Sequence, residues 1–345
     1  MSLRDIFKKK HNIKLFTTPS HSGRFFIFHK FLNFYKYDIS ETDTHNPEDA
    51  LKLSQENASK IYGTNKTLYL TNGSTSGIIA GVLACAGKDD NVLVWKDAHI
   101  CHHNAVKLAG ANEIFYEMTY DENLDVYTKV DIEAFENQLK NNKIKAAIVT
   151  SPTYEGFVSD LKKIKELCQK YGCYLIVDEA HGALYPFSEE LPETALNYAD
   201  IVVQSLHKTA GGLNPTALLH SNNKDLDIEK SLKMILTTSP SYPMLTTIEA
   251  NISFLNSERG KKHIKNLIKN IKDLRKNCPD IEFYGDDITK ILIKAKVSGE
   301  ELSEMLYSNG IEDERVSKKS VLLLCGIGTD KKKLKKLENV LKHIC

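Results

Sequence analysis

The chain has 345 residues, 41% of them hydrophobic, and its 46 Lys and Arg against 45 Asp and Glu give a formal net charge of +1. A charge this balanced creates no field that would favour nucleic acid or an anionic membrane as a partner. No apolar run approaches the roughly 18 residues that a membrane-spanning helix needs, and the first residues lack the apolar core of a signal peptide. The seven cysteines are scattered and odd in number, which is typical of reduced thiols. We therefore expect a cytoplasmic protein, with neither nucleic acid nor a membrane as a partner.

Residues 1–47 are expected to form an N-terminal segment, because the aromatic-rich stretch 25–39 has no clean helical or strand period. A helix is predicted to follow and to end near Gly63. Pro47 suits the first turn of a helix, and Leu51 and Ala58 lie on the apolar face of this one.

The stretch 67–87 is predicted to form a strand, a polar turn and a helix of small residues. The turn brings Ser74, Thr75 and Ser76 to the N-terminus of that helix, where backbone N–H groups and hydroxyls can bind phosphate. The same hydroxyls could simply cap the helix, so the turn alone leaves both interpretations open.

Residues 91–116 are predicted to form strand, loop, helix and strand. His99, Cys101, His102 and His103 invite a zinc interpretation. Since no second cluster of ligands has metal-site spacing, we expect no metal here. His102 and His103 begin the predicted helix, and we expect them to be solvated or packed.

Three buried strands are predicted within 145–156, 174–183 and 199–212, and each is followed by polar residues. These residues are Thr153, Tyr154, Asp178, His181, Ser205, His207 and Lys208. Strands that alternate with helices at this spacing indicate βαβ crossovers and a mainly parallel sheet. Ligands of such sheets bind outside the carboxyl ends of the strands, so we expect these side chains to share one crevice.

Lys208 and Asp178 together suit pyridoxal phosphate as cofactor. A lysine can hold this cofactor as a Schiff base, while a carboxylate can keep its pyridine nitrogen protonated. At about 4 Å and an effective dielectric constant near 20, an ion pair contributes roughly 4 kcal/mol, or about 3 pKa units. Taken singly, Asp178 would be a helix cap and Lys208 a solvated loop lysine. Ser-x-His-Lys about 25 residues after Asp-x-x-His, each at the end of a strand, favours the cofactor site.

Three motifs, SPTYEG (151–156), VDEAHGALYPF (177–187) and QSLHKT (204–209), resemble those of the Orn/Lys/Arg decarboxylase family. This family uses pyridoxal phosphate and has the aspartate-aminotransferase fold, fold type I. The resemblance covers residues 14–255 well and the last part of the chain loosely. It implies a short form of the family, without the N-terminal wing and the large C-terminal domain of longer relatives.

The expected fold class is α/β, with a mainly parallel sheet of the seven-stranded type flanked by helices, as the resemblance implies. Short strands and helices after Cys278 predict a small α+β C-terminal lobe. We place the cofactor-binding large domain at 48–258 and the small C-terminal domain at 259–345.

The resemblance also implies roles for individual residues. Lys208, Asp178, His99 and His207 are the predicted catalytic residues, and His99 matches a histidine that stacks on the cofactor ring. The predicted cofactor-binding residues are Ser74, Thr75, Ser76, His99, Thr153, Asp178, His181, Ser205, His207, Lys208, Thr238 and Ser239.

Two proline-punctuated segments, 17–23 and 237–243, match segments that relatives donate to a neighbouring subunit's site. The resemblance thus implies a homodimer or a higher homo-oligomer with shared active sites. Ser20 replaces a family glycine, which changes the allowed backbone angles beside His21.

The predicted function is decarboxylation of a basic amino acid, a small-molecule substrate, to an amine and carbon dioxide. Ornithine, lysine, arginine and a diamino acid all remain open. Glu314 matches a family glutamate, whereas Arg315 is a candidate for a substrate carboxylate. The alternatives are a fold type I enzyme of another reaction type (aminotransferase or aldolase/lyase) and a catalytically silent relative with a binding role.

Overall fold

The computed structural model describes residues 14–16 and 50–344. The helices are α1 (Ala50–Tyr62), α2 (Gly73–Cys85), α3 (Ile100–Ala109), α4 (Ile132–Asn141), α5 (Leu161–Lys170), α6 (Ile228–Lys233), α7 (Tyr242–Asn256), α8 (Glu258–Asn277), α9 (Gly299–Ser308) and α10 (Lys331–Ile344). The strands are β1 (Lys14–Leu15), β2 (Lys66–Leu70), β3 (Asn91–Trp95), β4 (Asn112–Tyr116), β5 (Met118–Asp121), β6 (Val126–Val130), β7 (Ile144–Thr150), β8 (Tyr174–Asp178), β9 (Ile201–Ser205), β10 (Ala217–Ser221), β11 (Glu282–Tyr284), β12 (Lys290–Lys294), β13 (Ile311–Glu312), β14 (Arg315–Val316) and β15 (Val321–Leu324).

The main sheet has seven strands in the order β2-β10-β9-β8-β7-β3-β4. Strands β9, β8, β7, β3 and β4 pair in parallel, whereas β10 runs antiparallel to both of its neighbours, β9 and β2. The central strands are buried on both faces, which requires the near-continuous apolar runs seen in the sequence. The predicted α/β fold class, with a mainly parallel seven-stranded sheet, is confirmed.

Helices cover both faces of the main sheet. Helices α2, α3 and α6 pack on one face, where Ile201 and Val203 of β9 point. Helices α4, α5 and α7 pack on the opposite face with Val202, as the two-residue period of a strand requires. The site therefore lies at the edge of the sheet, where neither layer of helices covers the strand ends.

A small antiparallel sheet, in the order β11-β12-β15-β14, forms the C-terminal lobe with α9 and α10. The small α+β lobe expected from the sequence is thus present. The proposed boundary at 258/259 coincides with the start of α8, although one hydrophobic core runs across it, from Leu245 to Leu341. The division into domains stays a prediction.

None of the helices within 50–344 has both the length and the apolar character that crossing a membrane would demand. The N-terminal segment 1–47 lies outside the described residues, apart from 14–16. There, β1 pairs in parallel with β13 of the C-terminal lobe, and Phe16 is buried in the core.

Candidate active site

Two adjacent cavities meet at the carboxyl end of β7, and the smaller of them also lies at the carboxyl ends of β8 and β9. The smaller measures about 260 Å³ and the larger about 670 Å³. His99, Thr150 and Tyr154 line both cavities and so form their common wall. Thr150 pairs with Asp178, and Asp178 with Val203, so β7 and β8 end at one level and β9 continues for two more residues, to Ser205.

The smaller cavity gathers most of the side chains that the sequence predicted for the site. It is lined by Ser74, Thr75, His99, Asp178, His181, His207 and Lys208, together with Tyr154 and Cys101. Thr153 lines the larger cavity instead. Ser76 and Ser205 are buried behind the wall, and the Ser76 hydroxyl donates to Gly73 O at 2.8 Å.

Thr238 and Ser239 lie apart from these cavities. Both are exposed in the loop before α7, and Ser239 N donates to Thr237 Oγ1 at 3.1 Å. His21 falls outside the described residues. The roles assigned to Thr238 and Ser239 stay predictions.

Lys208 sits in a turn of π-helix, residues Leu206–Ala210, that leaves the end of β9. Gly211, with φ of +83°, closes this turn in a conformation that favours glycine. Lys208 Nζ is 3.1 Å from His181 Nε2. Burial lowers the pKa of the Lys208 amine, and the nearby Asp178 carboxylate opposes this effect. A lowered pKa increases the fraction of neutral amine, which is the nucleophilic form that attacks an aldehyde.

Asp178 ends β8 with a donor on each carboxylate oxygen. His102 Nε2 lies 2.9 Å from Oδ2, and Ala180 N donates to Oδ1 at 3.1 Å. Burial would raise the pKa of this carboxyl, but the hydrogen bond and charge of His102, with the charge of Lys208, lower it on balance. The carboxylate therefore stays ionised and can pair with a cation in the cavity.

His102 is the site residue that the sequence interpretation missed. It is fully buried, not solvated, and its ring packs behind Asp178 rather than against apolar neighbours alone. The sequence did indicate that His102 is buried, because Ala105 and Val106 follow it at i+3 and i+4 on the buried face of α3. That spacing did not indicate that Asp178 is its hydrogen-bond partner.

The N-terminus of α2 forms the floor of the smaller cavity. Asn72 makes no side-chain cap hydrogen bond within the described residues, and Gly73 has φ of +77°. The first-turn N–H groups beside Ser74 and Thr75 therefore have no side-chain cap and can bind an anion. Gly77, one turn further, lies against the sheet, where an added Cβ would be 2.8 Å from side-chain carbons of Leu70 and Val203.

Two further histidines flank the smaller cavity in defined orientations. His99 Nδ1 accepts from Cys101 N at 3.2 Å, and its exposed ring faces both cavities. His207 Nδ1 lies 3.1 Å from Thr216 O and donates to it, since a carbonyl only accepts. Burial lowers the pKa of both imidazoles, which favours neutral rings.

Tyr154 separates the two cavities and contacts groups on both sides. Its ring centroid is 5.8 Å from Lys208 Nζ and 5.3 Å from Arg315 Cζ, and the His181 ring lies 4.4 Å away. Its hydroxyl donates to Glu314 Oε1 at 3.4 Å. Burial and the charge of Glu314 raise the pKa of Tyr154 to about 12, so the hydroxyl keeps its proton at neutral pH.

One side of the larger cavity is formed by a contact between residues 122–125 of the β5–β6 hairpin and residues 317–320 of the C-terminal lobe. We call this the hairpin–lobe contact. Leu124 O accepts from Ser317 Oγ at 2.8 Å and from Ser320 Oγ at 2.9 Å, and Asp125 Oδ2 accepts from Lys318 N at 2.9 Å. The wall of this cavity is therefore built from both lobes.

A metal site was not expected, although Cys101, His102 and Asp178 offer ligand atoms within 4.8 Å of one another. His102 and Asp178 already hydrogen-bond to each other, so a metal would have to replace that bond. The absence of a metal stays an expectation.

Comparison of the sequence with known proteins indicates one family. The model of the family described as Orn/Lys/Arg decarboxylase, major domain, matches residues 9–296. An uncharacterised Bacillus subtilis protein, YaaO, is 30% identical over 83% of this chain and 63% of its own length. The arginine decarboxylase of Bacillus cereus is 28% identical over 74% of this chain and 60% of its own. The chain thus spans less than two thirds of these relatives.

The solved structures agree on the fold. The constitutive lysine decarboxylase of Escherichia coli superposes with a TM-score of 0.78, covering 92% of this chain and 55% of that one, at 18% identity. At this identity the likeness shows the fold alone.

Proposed function

Because the chain belongs to the Orn/Lys/Arg decarboxylase family, we propose that it is a decarboxylase that uses pyridoxal phosphate to convert a basic amino acid to an amine and carbon dioxide. Its relatives are pyridoxal-phosphate enzymes. The observation that carries the proposal is that Lys208, Asp178 and the N-terminus of α2 line one cavity of about 260 Å³.

The residues of this cavity fit the three reactive ends of the cofactor. The uncapped N–H groups of α2 suit a phosphate, the ionised Asp178 suits a protonated pyridine nitrogen, and Lys208 suits an aldehyde. Buried hydroxyl Ser205 Oγ has no partner within the described residues, which is consistent with a further phosphate ligand. When bound, the cofactor supplies an electron-withdrawing ring that accepts the electrons of the bond being broken.

The chain's own side chains would bind and orient the reactants. His99 would stack on the ring, and Ser74, Thr75, Ser76, Ser205 and His207 would hold the phosphate. His181 would lie near the edge of the ring. Lys208, or His207 in its protonated form, would return a proton to the carbon from which carbon dioxide leaves.

The remaining predicted ligands fall into two groups. Thr153 would act from the larger cavity, which it lines. Thr238 and Ser239 would act on the site of a neighbouring subunit. This arrangement requires a homodimer or a larger homo-oligomer, and we propose both this assembly and a cytoplasmic location.

The test is to incubate the purified protein and pyridoxal phosphate with ornithine, lysine and arginine, and to measure amine and carbon dioxide by mass spectrometry. We expect both products from at least one amino acid. Borohydride reduction followed by peptide mapping should place the cofactor on Lys208. Lys290 is an internal control, because burial also lowers its pKa, yet it is fully buried and lines neither cavity.

Other results would direct the proposal elsewhere. A keto acid or an aldehyde as product would favour a fold type I enzyme of another reaction type. A protein that refuses the cofactor would overturn the proposal altogether.

A further inference from the structure

A half-buried ion pair occupies the larger cavity. Arg315 Nη1 lies 3.2 Å from Glu155 Oε1, and both residues line the cavity. The side chain of Glu155 is 9% exposed, whereas that of Arg315 is 58% exposed. The guanidinium of Arg315 also lies over the ring of Tyr154, with 5.3 Å from Cζ to the centroid.

The two partners differ in how firmly the fold holds them. Glu155 sits in a tight turn, in which Gly156 N donates to Thr153 O at 3.0 Å and Thr153 N donates to Phe157 O at 2.9 Å. Gly156 O accepts from the backbone N–H groups of Asp286 and Asp287, both at 2.9 Å. Both lobes therefore fix the position of this carboxylate.

Arg315, by contrast, can leave the pair at little cost. It belongs to β14, a strand of two residues whose side chains are exposed. An ion pair with an exposed partner contributes little to stability, and a released guanidinium is hydrated. Burial raises the pKa of the Glu155 carboxyl, and the charge of Arg315 opposes this effect, so without a cation the buried carboxylate would keep only hydrogen bonds to balance its charge. Glu155 consequently favours replacement of one cation by another.

We propose that Glu155 and Tyr154 form a binding subsite for the guanidinium end of the substrate, and that Arg315 occupies this subsite until the substrate displaces it. This inference rests on the proposed function, since it assigns the distal end of the same substrate. A planar guanidinium can stack on a tyrosine ring and bind a carboxylate through two N–H groups, which the ammonium of lysine or ornithine cannot do together. The subsite therefore selects arginine among the basic amino acids.

The position of the subsite suits a substrate held at Lys208. Lys208 Nζ is 5.8 Å from the centroid of the same Tyr154 ring. Lys208 Nζ and Arg315 Cζ are therefore at most about 11 Å apart, a separation on the scale of one long amino-acid side chain. Arg315 is less suited to binding a substrate carboxylate, because Glu155 already neutralises its charge.

The experiment measures binding of agmatine, which carries a guanidinium, and of cadaverine, which carries ammonium groups only. Both are titrated calorimetrically into the full chain, with and without pyridoxal phosphate. Arg315→Gln should bind agmatine about 3–10-fold more tightly than the wild type, because an internal competitor worth about 1 kcal/mol is gone. The gain for cadaverine should be smaller. Glu155→Gln should lose agmatine binding.

The matched control is Arg259→Gln, since Arg259 also lies over an aromatic ring, that of Phe254, but outside the cavity. It should bind both amines as the wild type does. Glu155 is buried, so circular dichroism must show that Glu155→Gln is folded. Arg315 is exposed, and the affinity of Arg315→Gln for agmatine therefore decides the test.

Unchanged or weaker agmatine binding by Arg315→Gln would overturn the subsite. An equal gain for cadaverine would overturn its guanidinium preference. Binding does not require turnover. If Arg315→Gln binds agmatine more tightly but the protein releases no carbon dioxide, the proposed function is refuted and the subsite stands.

Discussion

At the scale of single residues, the pair His102–Asp178 determines how the carboxylate of the smaller cavity is oriented. Because a carboxylate can only accept, the proton in this 2.9 Å hydrogen bond belongs to His102 Nε2. With Ala180 N on the other oxygen, the plane of the carboxylate is fixed from two sides. His102 is therefore a positioning residue that acts through Asp178.

We predict that His102→Leu moves the acid limb of the pH–activity profile to higher pH. The pKa of Asp178 lies below its ordinary value partly because of His102, and hydrogen bonds to charged groups contribute about 1.5–3 kcal/mol. The depressed pKa gives stability that is present above the unfolded-state pKa and lost as the pH falls through the folded-state pKa. The variant should lose this contribution to the free energy of unfolding, which denaturation at several pH values measures.

Two further variants make that result specific. His102→Gln retains a donor and should recover part of the profile. His103→Leu removes a histidine that pairs with Glu113 outside the cavity, and it should leave the acid limb in place. A profile of His102→Leu that overlays the wild type would refute the positioning role.

The second prediction at this scale concerns the amine of Lys208. Competitive labelling of the cofactor-free protein with acetic anhydride, read by mass spectrometry, should give a pKa for Lys208 below the usual 10.5. Asp178→Asn should lower it further, because the carboxylate raises the pKa of this amine. A labelling midpoint at or above 10.5 in the wild type would contradict the proposed burial of the amine.

At the scale of elements, the close packing of α2 on the sheet sets the position of its N-terminus. We predict that Gly77→Ala destabilises the protein by about 1–3 kcal/mol, the usual cost of overpacking a core. The new Cβ would lie 2.8 Å from carbons of Leu70 and Val203, and this outweighs the gain of about 1 kcal/mol in helix propensity. Denaturant unfolding measures the loss, and weaker binding of pyridoxal phosphate should accompany it.

Gly87→Ala is the control, since nothing lies within 4 Å of a Cβ at that position. A Gly77→Ala variant as stable as this control would mean that α2 can shift without cost. In that case its N-terminus would not be a rigid cradle.

The elements also show where sequence reasoning succeeds. Strands β8 and β9 were predictable because Ile176, Val177 and Ile201 belong to apolar runs that end in chemistry-bearing residues. The hairpin β5–β6 was not predicted. Its contact with the C-terminal lobe depends on hydrogen bonds from Ser317 and Ser320 to Leu124, which is 193 and 196 positions away, and no local sequence pattern indicates such a contact.

The same reasoning applies within the site. Asp178 and Lys208 could be predicted together because parallel strands bring their carboxyl ends to one edge. The contacts of Tyr154 with Arg315, and of Glu155 with Arg315, join the two lobes. They depend on how the lobes pack, which the loosely matched C-terminal part of the sequence did not reveal.

At the scale of the whole molecule, the shared-site assembly can be tested by mixing two inactive variants. Lys208→Ala removes the amine, and Ser239→Asp should place a repelling charge near the partner's cofactor phosphate; its inactivity must be shown first. A mixed dimer then has one site with both defects and one with neither. Random reassortment should restore roughly a quarter of wild-type activity, since half of the dimers are mixed. An inactive mixture after proven subunit exchange would exclude sharing.

The hairpin–lobe contact has a consequence for the order in which the chain is made. Every residue named for the smaller cavity precedes residue 222, so a growing chain has this part of its sequence early. The hairpin–lobe contact beside the larger cavity is made by Ser317 to Ser320. The N-terminal part of a chain leaves the ribosome first, so all of the residues that line the smaller cavity are synthesised before Ser317 to Ser320. During synthesis the larger cavity is therefore the later of the two to obtain its full set of lining residues.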